Sequence, residues 1–208
     1  RDWSSDVCSS DLNLCIMLPF FKKKILLASQ SPRRHQLIAD SGFELEIIKI
    51  DVEEDFHPEL KAAEIPEYLA KKKSDAYSQE LLDDSLLVTA DTVVWVNGHV
   101  LNKPSSLLEA KDMLKTLSSN VHTVYTGVCV KSRTNTIVFS EATNVYFNSL
   151  SDEMIDYYLQ NYSPLDKAGA YGIQEFIGYV GIQKIEGCYY NVMGFPVSRF
   201  IHEIQAMQ

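Results

Sequence analysis

Ala28-Ser29-Gln30-Ser31-Pro32-Arg33-Arg34 closes an apolar run, Ile25-Leu26-Leu27, and opens a helix. Ser31 is a good N-cap, because its side-chain oxygen can accept a free N–H of the first turn. Pro32 suits the first helical position, where its missing N–H costs nothing. Arg33 and Arg34 then fall in the first turn, beside the positive end of the helix dipole, where cations are unfavourable by roughly a few tenths of a kcal/mol or more. A strand end, free backbone N–H groups and two guanidinium forks together make a receptor for a phosphorylated ligand. On the heptapeptide alone, a surface helix with its arginines in solvent is the competing reading.

Outward from this stretch, periodicity and punctuation predict the rest. A buried strand covers 25–29, and the helix runs from Pro32 to about Ser41, where Gly42 ends it. A second strand follows over 43–50, then an acidic loop at 51–55 and a long amphipathic helix over 65–82. The run 86–90 reads as a central strand that ends at Asp91 and resumes over 93–96. Asn97-Gly98 is the strongest hairpin signal in the chain. A helix over 105–117 has Ser105 or Ser106 as its cap and Glu109 near its first turn. Strands over 121–130 and 137–147 form an antiparallel pair, and Ser151-Asp152-Glu153 starts a helix that reaches about Tyr162. A glycine-rich stretch of turns and short strands covers 169–194, and Pro196 opens a C-terminal helix. Crossover helices mixed with hairpins imply an α/β or α+β domain around a mixed sheet.

The bulk numbers narrow the function. With 208 residues, 46% hydrophobic and 23% charged, the chain suits one globular domain, expected over 17–208. Residues 1–12 look like a translated cloning or sequencing adapter, so 1–16 are expected to be a non-native extension ahead of a start at Met17. Net charge is −9, from 28 acidic against 19 basic residues. That argues against a protein that coats nucleic acid, yet a local basic cluster can still attract a small phosphorylated ligand. Cys8, Cys15, Cys129 and Cys188 show no C-x-x-C or zinc-like spacing and suit a reducing, cytosol-like compartment. No run approaches the ~18 consecutive apolar residues of a membrane span.

Among residues able to carry chemistry, Asp91 stands out, because it interrupts an apolar segment expected deep in the sheet. A buried carboxylate should be paired, metal-bound or raised in pKa; one that accepts backbone hydrogen bonds at a strand break is the alternative. Glu53, Glu54 and Asp55 could join Asp91 around a hard cation, since Mg²⁺ prefers one or two carboxylates plus phosphate oxygens; otherwise they form a solvated charge run. Lys103 follows a strand and is stiffened by Pro104. Lys167 sits in the small-residue loop 166–174, where a backbone can approach a ligand closely. Either could be a phosphate point charge or a surface lysine. The five histidines lack ligand spacing, and the P-loop, dinucleotide-fold and hydrolase-elbow motifs are all missing.

Taken in order, these pieces resemble the Maf family of nucleoside triphosphate pyrophosphatases over about 25–204. The resemblance is carried by ASQSPRR (28–34), Glu53-Glu54, Lys73, ADTVV (90–94), Lys103-Pro104, HTVYTG (122–127), DKAGAYGIQ (166–174) and YNVMGFP (190–196). It implies a mixed twisted sheet flanked by helices, with two lobes around a cleft, similar to the inosine triphosphate pyrophosphatases. It further implies metal-dependent cleavage of a nucleoside triphosphate to monophosphate and pyrophosphate, with Mg²⁺ or Mn²⁺, by a cytoplasmic homodimer. Carried over residue by residue, Asp91 would be the proton acceptor and, with Glu54, would hold the metal. Ser29, Arg34, Lys73, Lys103 and Lys167 would bind phosphates. Arg33, Thr92 and Gln174 match the positions that mark the branch acting on dTTP and UTP rather than 7-methyl-GTP. Asn102 and Phe195 depart from the common pattern without touching this chemistry. A nucleotide-sensing regulator of cell division or septum formation, without essential catalysis, is the alternative function.

Overall fold

The computed structural model describes residues 23–207; the expected extension and the start at Met17 lie outside them. Strand β1 (Lys24–Ala28) leads into α1 (Pro32–Asp40), and β2 (Leu45–Ile48) returns parallel to β1. Local chemistry sets this unit as expected. Ser31 Oγ accepts the Arg34 N–H, Pro32 stands at the start of the helix, and Gly42 leaves it at φ +86°. Helix α1 turns Arg34, Leu37 and Ile38 inward, the i, i+3, i+4 stripe of a packed helix.

Then come α2 (Glu64–Asp75), β3 (Ser85–Val96), β4 (His99–Leu101), α3 (Leu107–Leu117), β5 (Val121–Lys131), β6 (Thr136–Phe147) and α4 (Asp152–Asn161). Two single 3-10 turns, Pro164–Asp166 and Ala168–Ala170, precede α5 (Phe176–Gly181), β7 (Ile182–Glu186), α6 (Tyr189–Met193) and α7 (Val197–Ala206). The sheet order is β2-β1-β3-β5-β6-β7, with β4 also paired to β3; β1 lies parallel to its neighbours and the other pairings are antiparallel. The expected mixed α/β sheet is what the chain forms. Asn97 and Gly98, at φ +51° and +81°, make the tight turn between β3 and β4. Ser106 caps α3, and Glu109 reaches back to the Ser105 N–H and hydroxyl.

Three expectations need correction. Strand β3 does not break at Asp91 but runs unbroken for 12 residues. The Asp91 backbone keeps its place opposite Gly127 of β5 while Lys73 takes its carboxylate. Helix α2 stops at Asp75 rather than near Leu82, because Tyr77 and Leu81 turn back to pack with Ala28 and Leu87. The glycine-rich stretch holds two short helices, α5 and α6, as well as a strand; each is under two turns and is fixed by burying Ile177 or Asn191 rather than by periodicity.

The alternation of β3 divides the interior. Leu86, Val88 and Ala90 enter one core with α1 and α7, while Val94 and Val96 enter a second core with α3, α4 and α5. Thr92 lies on the same face, at the junction of the two. The opposite face turns Thr89, Asp91 and Val93 towards α2: Thr89 Oγ1 donates to the Ala70 carbonyl, Asp91 meets Lys73, and Val93 packs on Ile65 and Leu69.

Candidate active site

The edge of β3 beyond β5 is shared by two short neighbours. Strand β1 pairs with Ser85–Thr89 and β4 with Val94–Val96, so residues 90–93 have a strand on one side only. A cavity of about 350 Å³ occupies this opening, and all ten residues to which the family resemblance assigns a role line it. Its size falls within the ~300–1,000 Å³ usual for small-molecule sites. Glu53 and Asp55 of the acidic loop do not line it; Asp55 instead pairs with Lys72 at 2.6 Å.

On the α2 wall, Lys73 Nζ donates to Asp91 Oδ1 and Glu54 Oε1, both at 2.7 Å, and Lys103 Nζ stands 3.6 Å from Glu54 Oε2. Burial opposes charge on Glu54, but the hydrogen bond and charge of Lys73, aided by Lys103, hold its carboxyl below the usual range. Lys73 reaches this point because α2 lies directly on β5. A Cβ at Gly127 would fall 2.3 Å from the Pro66 carbonyl carbon and 2.4 Å from the Glu67 nitrogen. Lys73 follows Pro66 by seven residues and shares its helix face.

The opposite wall is built around Arg34. Its Nε donates to the Gly194 carbonyl at 3.0 Å, Nη1 to Ser29 Oγ at 2.8 Å and the Ala90 carbonyl at 3.2 Å, and Nη2 to Thr92 Oγ1 at 3.3 Å. The Ala90 carbonyl lies just past the stretch paired to β1, so Arg34 closes the gap where a strand would have continued. Burial pulls this guanidinium down to about 10 against the opposing charge of Asp91, so it keeps its proton at neutral pH. Thr92 and Thr126 hydroxyls lie 2.9 Å apart, and Thr126 donates to the Asn191 carbonyl. With its proton engaged there, Thr126 accepts from Thr92, which accepts from Arg34. The remaining lone pair of Thr92 is therefore an acceptor.

A third wall is the loop 166–175. Arg33 Nη1 donates to Asp166 Oδ2 at 2.8 Å. Lys167, 5% exposed, has Ser163 O at 2.5 Å, Asp166 Oδ1 at 2.9 Å and Glu175 Oε1 at 3.1 Å, which engages its three N–H donors. Gln174 Oε1 is buried without a hydrogen-bond partner among the described residues. The cavity thus gathers every candidate except Glu53 and Asp55, but uses them unequally. Arg34 and Lys167 are bonded within the protein, whereas Lys73 and Lys103 retain donors.

Sequence reasoning passed over Thr126, Gly127, Tyr158 and Glu175 as individual residues. Gly127 carried a usable signal, since a glycine inside an apolar strand marks a close backbone approach. Tyr158 and Glu175 carried none locally.

Tyr171, at the cavity edge, shares a 2.7 Å hydrogen bond with His122 Nε2. Burial pushes the His122 imidazole down to about 4 from 6.5. Between these values the unfolded chain binds a proton that the folded chain does not. Stability conferred by the neutral ring is therefore present above about pH 6.5 and lost as pH falls towards 4, by about 3 kcal/mol. Melting temperatures from pH 7 to 4 should show this slope, and His122→Gln should flatten it. An unchanged slope in the variant would assign it to other groups.

A mixed α/β sheet parted between two partial neighbours, with cationic and acidic side chains converging on the opening, describes a protein built to take up an anionic ligand in a cleft. The model of the family described as Maf-like protein matches residues 24–207, and the chain belongs to that family. A protein of Parabacteroides distasonis named dTTP/UTP pyrophosphatase is 47% identical to it over 91% of this chain and 99% of its own length. Proteins of the same name from Porphyromonas gingivalis and Flavobacterium johnsoniae are 50% and 48% identical, over 91% and 86% of this chain and 97% and 92% of theirs.

Proposed function

We propose that this chain hydrolyses the anhydride between the α- and β-phosphates of dTTP and UTP, with water as co-reactant, releasing the nucleoside monophosphate and pyrophosphate. The name shared by its relatives supports the substrate. The observation that carries the chemistry is the placing of Asp91, Lys73 and Glu54 in one cavity with the start of α1.

In this reading the triphosphate lies over the first turn of α1, where backbone N–H groups and Ser29 donate to phosphate oxygens. Lys73 and Lys103 meet the β- and γ-phosphates directly. Arg34 and Lys167 act on the phosphates through their charge and hold the walls in place. Glu54 and Asp91 suit a hard divalent cation, Mg²⁺ or Mn²⁺: two carboxylates converge on one ammonium, and among the described residues no third His, Cys, Asp or Glu joins them to make an all-protein cage. When bound, such an ion would neutralise phosphate charge and polarise the α-phosphoryl group. Asp91 takes a proton from the attacking water, and Lys73 and Lys103 stabilise the charge that grows on the departing pyrophosphate. Arg33, Thr92 and Gln174 face the base. A base-reading site lined with buried polar groups rejects mismatched bases by leaving those groups unpaired. The enzyme is read as a cytoplasmic homodimer acting on free nucleotides; its acidic surplus supports the last point.

The test is product identification from a panel of dTTP, UTP, CTP, ATP and GTP with Mg²⁺ or Mn²⁺. Monophosphate with pyrophosphate, greatest from dTTP and UTP and abolished by a chelator, is expected. Orthophosphate with diphosphate would place the cleavage at another bond. Tight binding without cleavage would favour the sensing role.

A further inference from the structure

The loop 166–175 supplies a whole wall of the cavity, yet its own backbone is under strain. Gly169 and Ala170 both sit in the left-handed region, at φ +68° and +63°, and for alanine that conformation costs roughly 1–2 kcal/mol. Such a turn persists only where its surroundings over-determine it. Beneath it lies Tyr158 of α4, which is fully buried, with its ring stacked on Tyr162. The Gly172 N–H donates to the Tyr158 hydroxyl at 3.1 Å, and that hydroxyl donates in turn to Glu175 Oε2. Burial, followed by the hydrogen bond to Glu175, raises the tyrosine's pKa, so it remains a donor. The other oxygen of Glu175 faces Lys167 at 3.1 Å, and Lys167 holds Asp166. One hydroxyl therefore ties down both flanks of Gln174, the residue with the unpartnered buried oxygen. A Cβ at Gly172 would fall 2.7 Å from the Glu175 carboxyl carbon, the side-chain end that Tyr158 and Lys167 hold in place.

We infer that Tyr158 is a positioning residue for base selection, setting the Gly172–Glu175 segment so that Gln174 meets the pyrimidine in one fixed orientation. It does not line the cavity and reaches substrate only through Gly172 and Glu175. The inference deepens the function proposed above and rests on it for the identity of the base.

Tyr158→Phe removes one oxygen and keeps the ring. Hydrogen exchange should show the segment 172–175 losing protection by about tenfold, with distant strands unchanged. The preference for UTP over CTP in kcat/KM should fall by about tenfold, chiefly through a higher KM for UTP. Unaltered exchange at 172–175, or an equal loss on both nucleotides, would overturn the inference. Glu175→Gln can keep an oxygen towards Lys167 while turning its amide nitrogen to the Tyr158 hydroxyl. It weakens the same link from the other side, should give the same pair of changes, and decides the matter if Tyr158→Phe does not fold. A wild-type enzyme with no preference among nucleotides would sink the pyrimidine reading, while the exchange measurement would still judge the latch.

Discussion

Asp91→Asn is expected to lower dTTP turnover by about 10³-fold while KM moves little, since positioned general bases contribute roughly 10²–10⁴. The substitution is nearly isosteric and the strand should tolerate it. Asp91 keeps its place opposite Gly127 through backbone bonds that the side chain does not touch. An amide oxygen can still accept from Lys73, as Asp91 Oδ1 does at 2.7 Å. What is lost is the capacity to take a proton from water, together with one of the two carboxylates suited to the cation, so turnover is compared at saturating Mg²⁺. Proton uptake falls to the second carboxylate oxygen, because the hydrogen bond from Lys73 engages only Oδ1. Phosphate binding should survive, since Lys73 and Lys103 remain and Glu54 still orders both. Steady-state kinetics with separate measurement of nucleotide binding distinguishes the two effects. A variant that turns over dTTP at the wild-type rate would remove Asp91 as the base, and one that loses binding in proportion would make it a binding residue instead.

The parts of this protein that were legible in its sequence are those whose causes lie within a few residues. Ser31, Pro32 and Gly42 bound α1 through their own backbone preferences, and Asn97-Gly98 makes its turn by tolerating positive φ. Asp91 misled because the local rule, that a carboxylate ends an apolar strand, ignores a partner 18 positions earlier on another element. The Lys73 ammonium removes the reason for a break, and the strand continues. For the same reason charge was legible and its use was not. Arg34 and Lys167 read as phosphate ligands because they are cations near a helix tip and a small-residue loop. Which carbonyls and carboxylates engage their N–H groups depends on Gly194, Ala90 and Glu175, which only folding brings near. The family resemblance named ten residues that line one cavity; which of their N–H groups are engaged inside it is a tertiary property.

Gly127→Ala should damage both the fold and the cleft, although Gly127 itself does not line the cavity. Ordinary contacts to a Cβ begin near 3.4 Å, and here the new carbon would lie 2.3–2.4 Å from three main-chain atoms of Pro66 and Glu67. No side-chain rotation relieves a clash with backbone, so α2 must retreat by about 1 Å in an interior packed without slack. Overpacking costs roughly 1–3 kcal/mol, and a backbone clash belongs at the upper end or beyond it. At this chain length that corresponds to a fall in Tm of about 10 °C. The same retreat carries Lys73, two turns further along the helix, away from Asp91 and Glu54, so turnover should drop by at least about tenfold even where the protein is fully folded. Gly98→Ala provides the contrast. Its φ of +81° makes alanine unfavourable, but nothing lies within 4 Å of the added carbon, and the turn is outside the cavity. It should lower Tm by a few degrees and leave kcat intact. If Gly127→Ala behaved like Gly98→Ala, losing stability alone, the close seating of α2 on β5 would not be what sets the lysine between its two carboxylates.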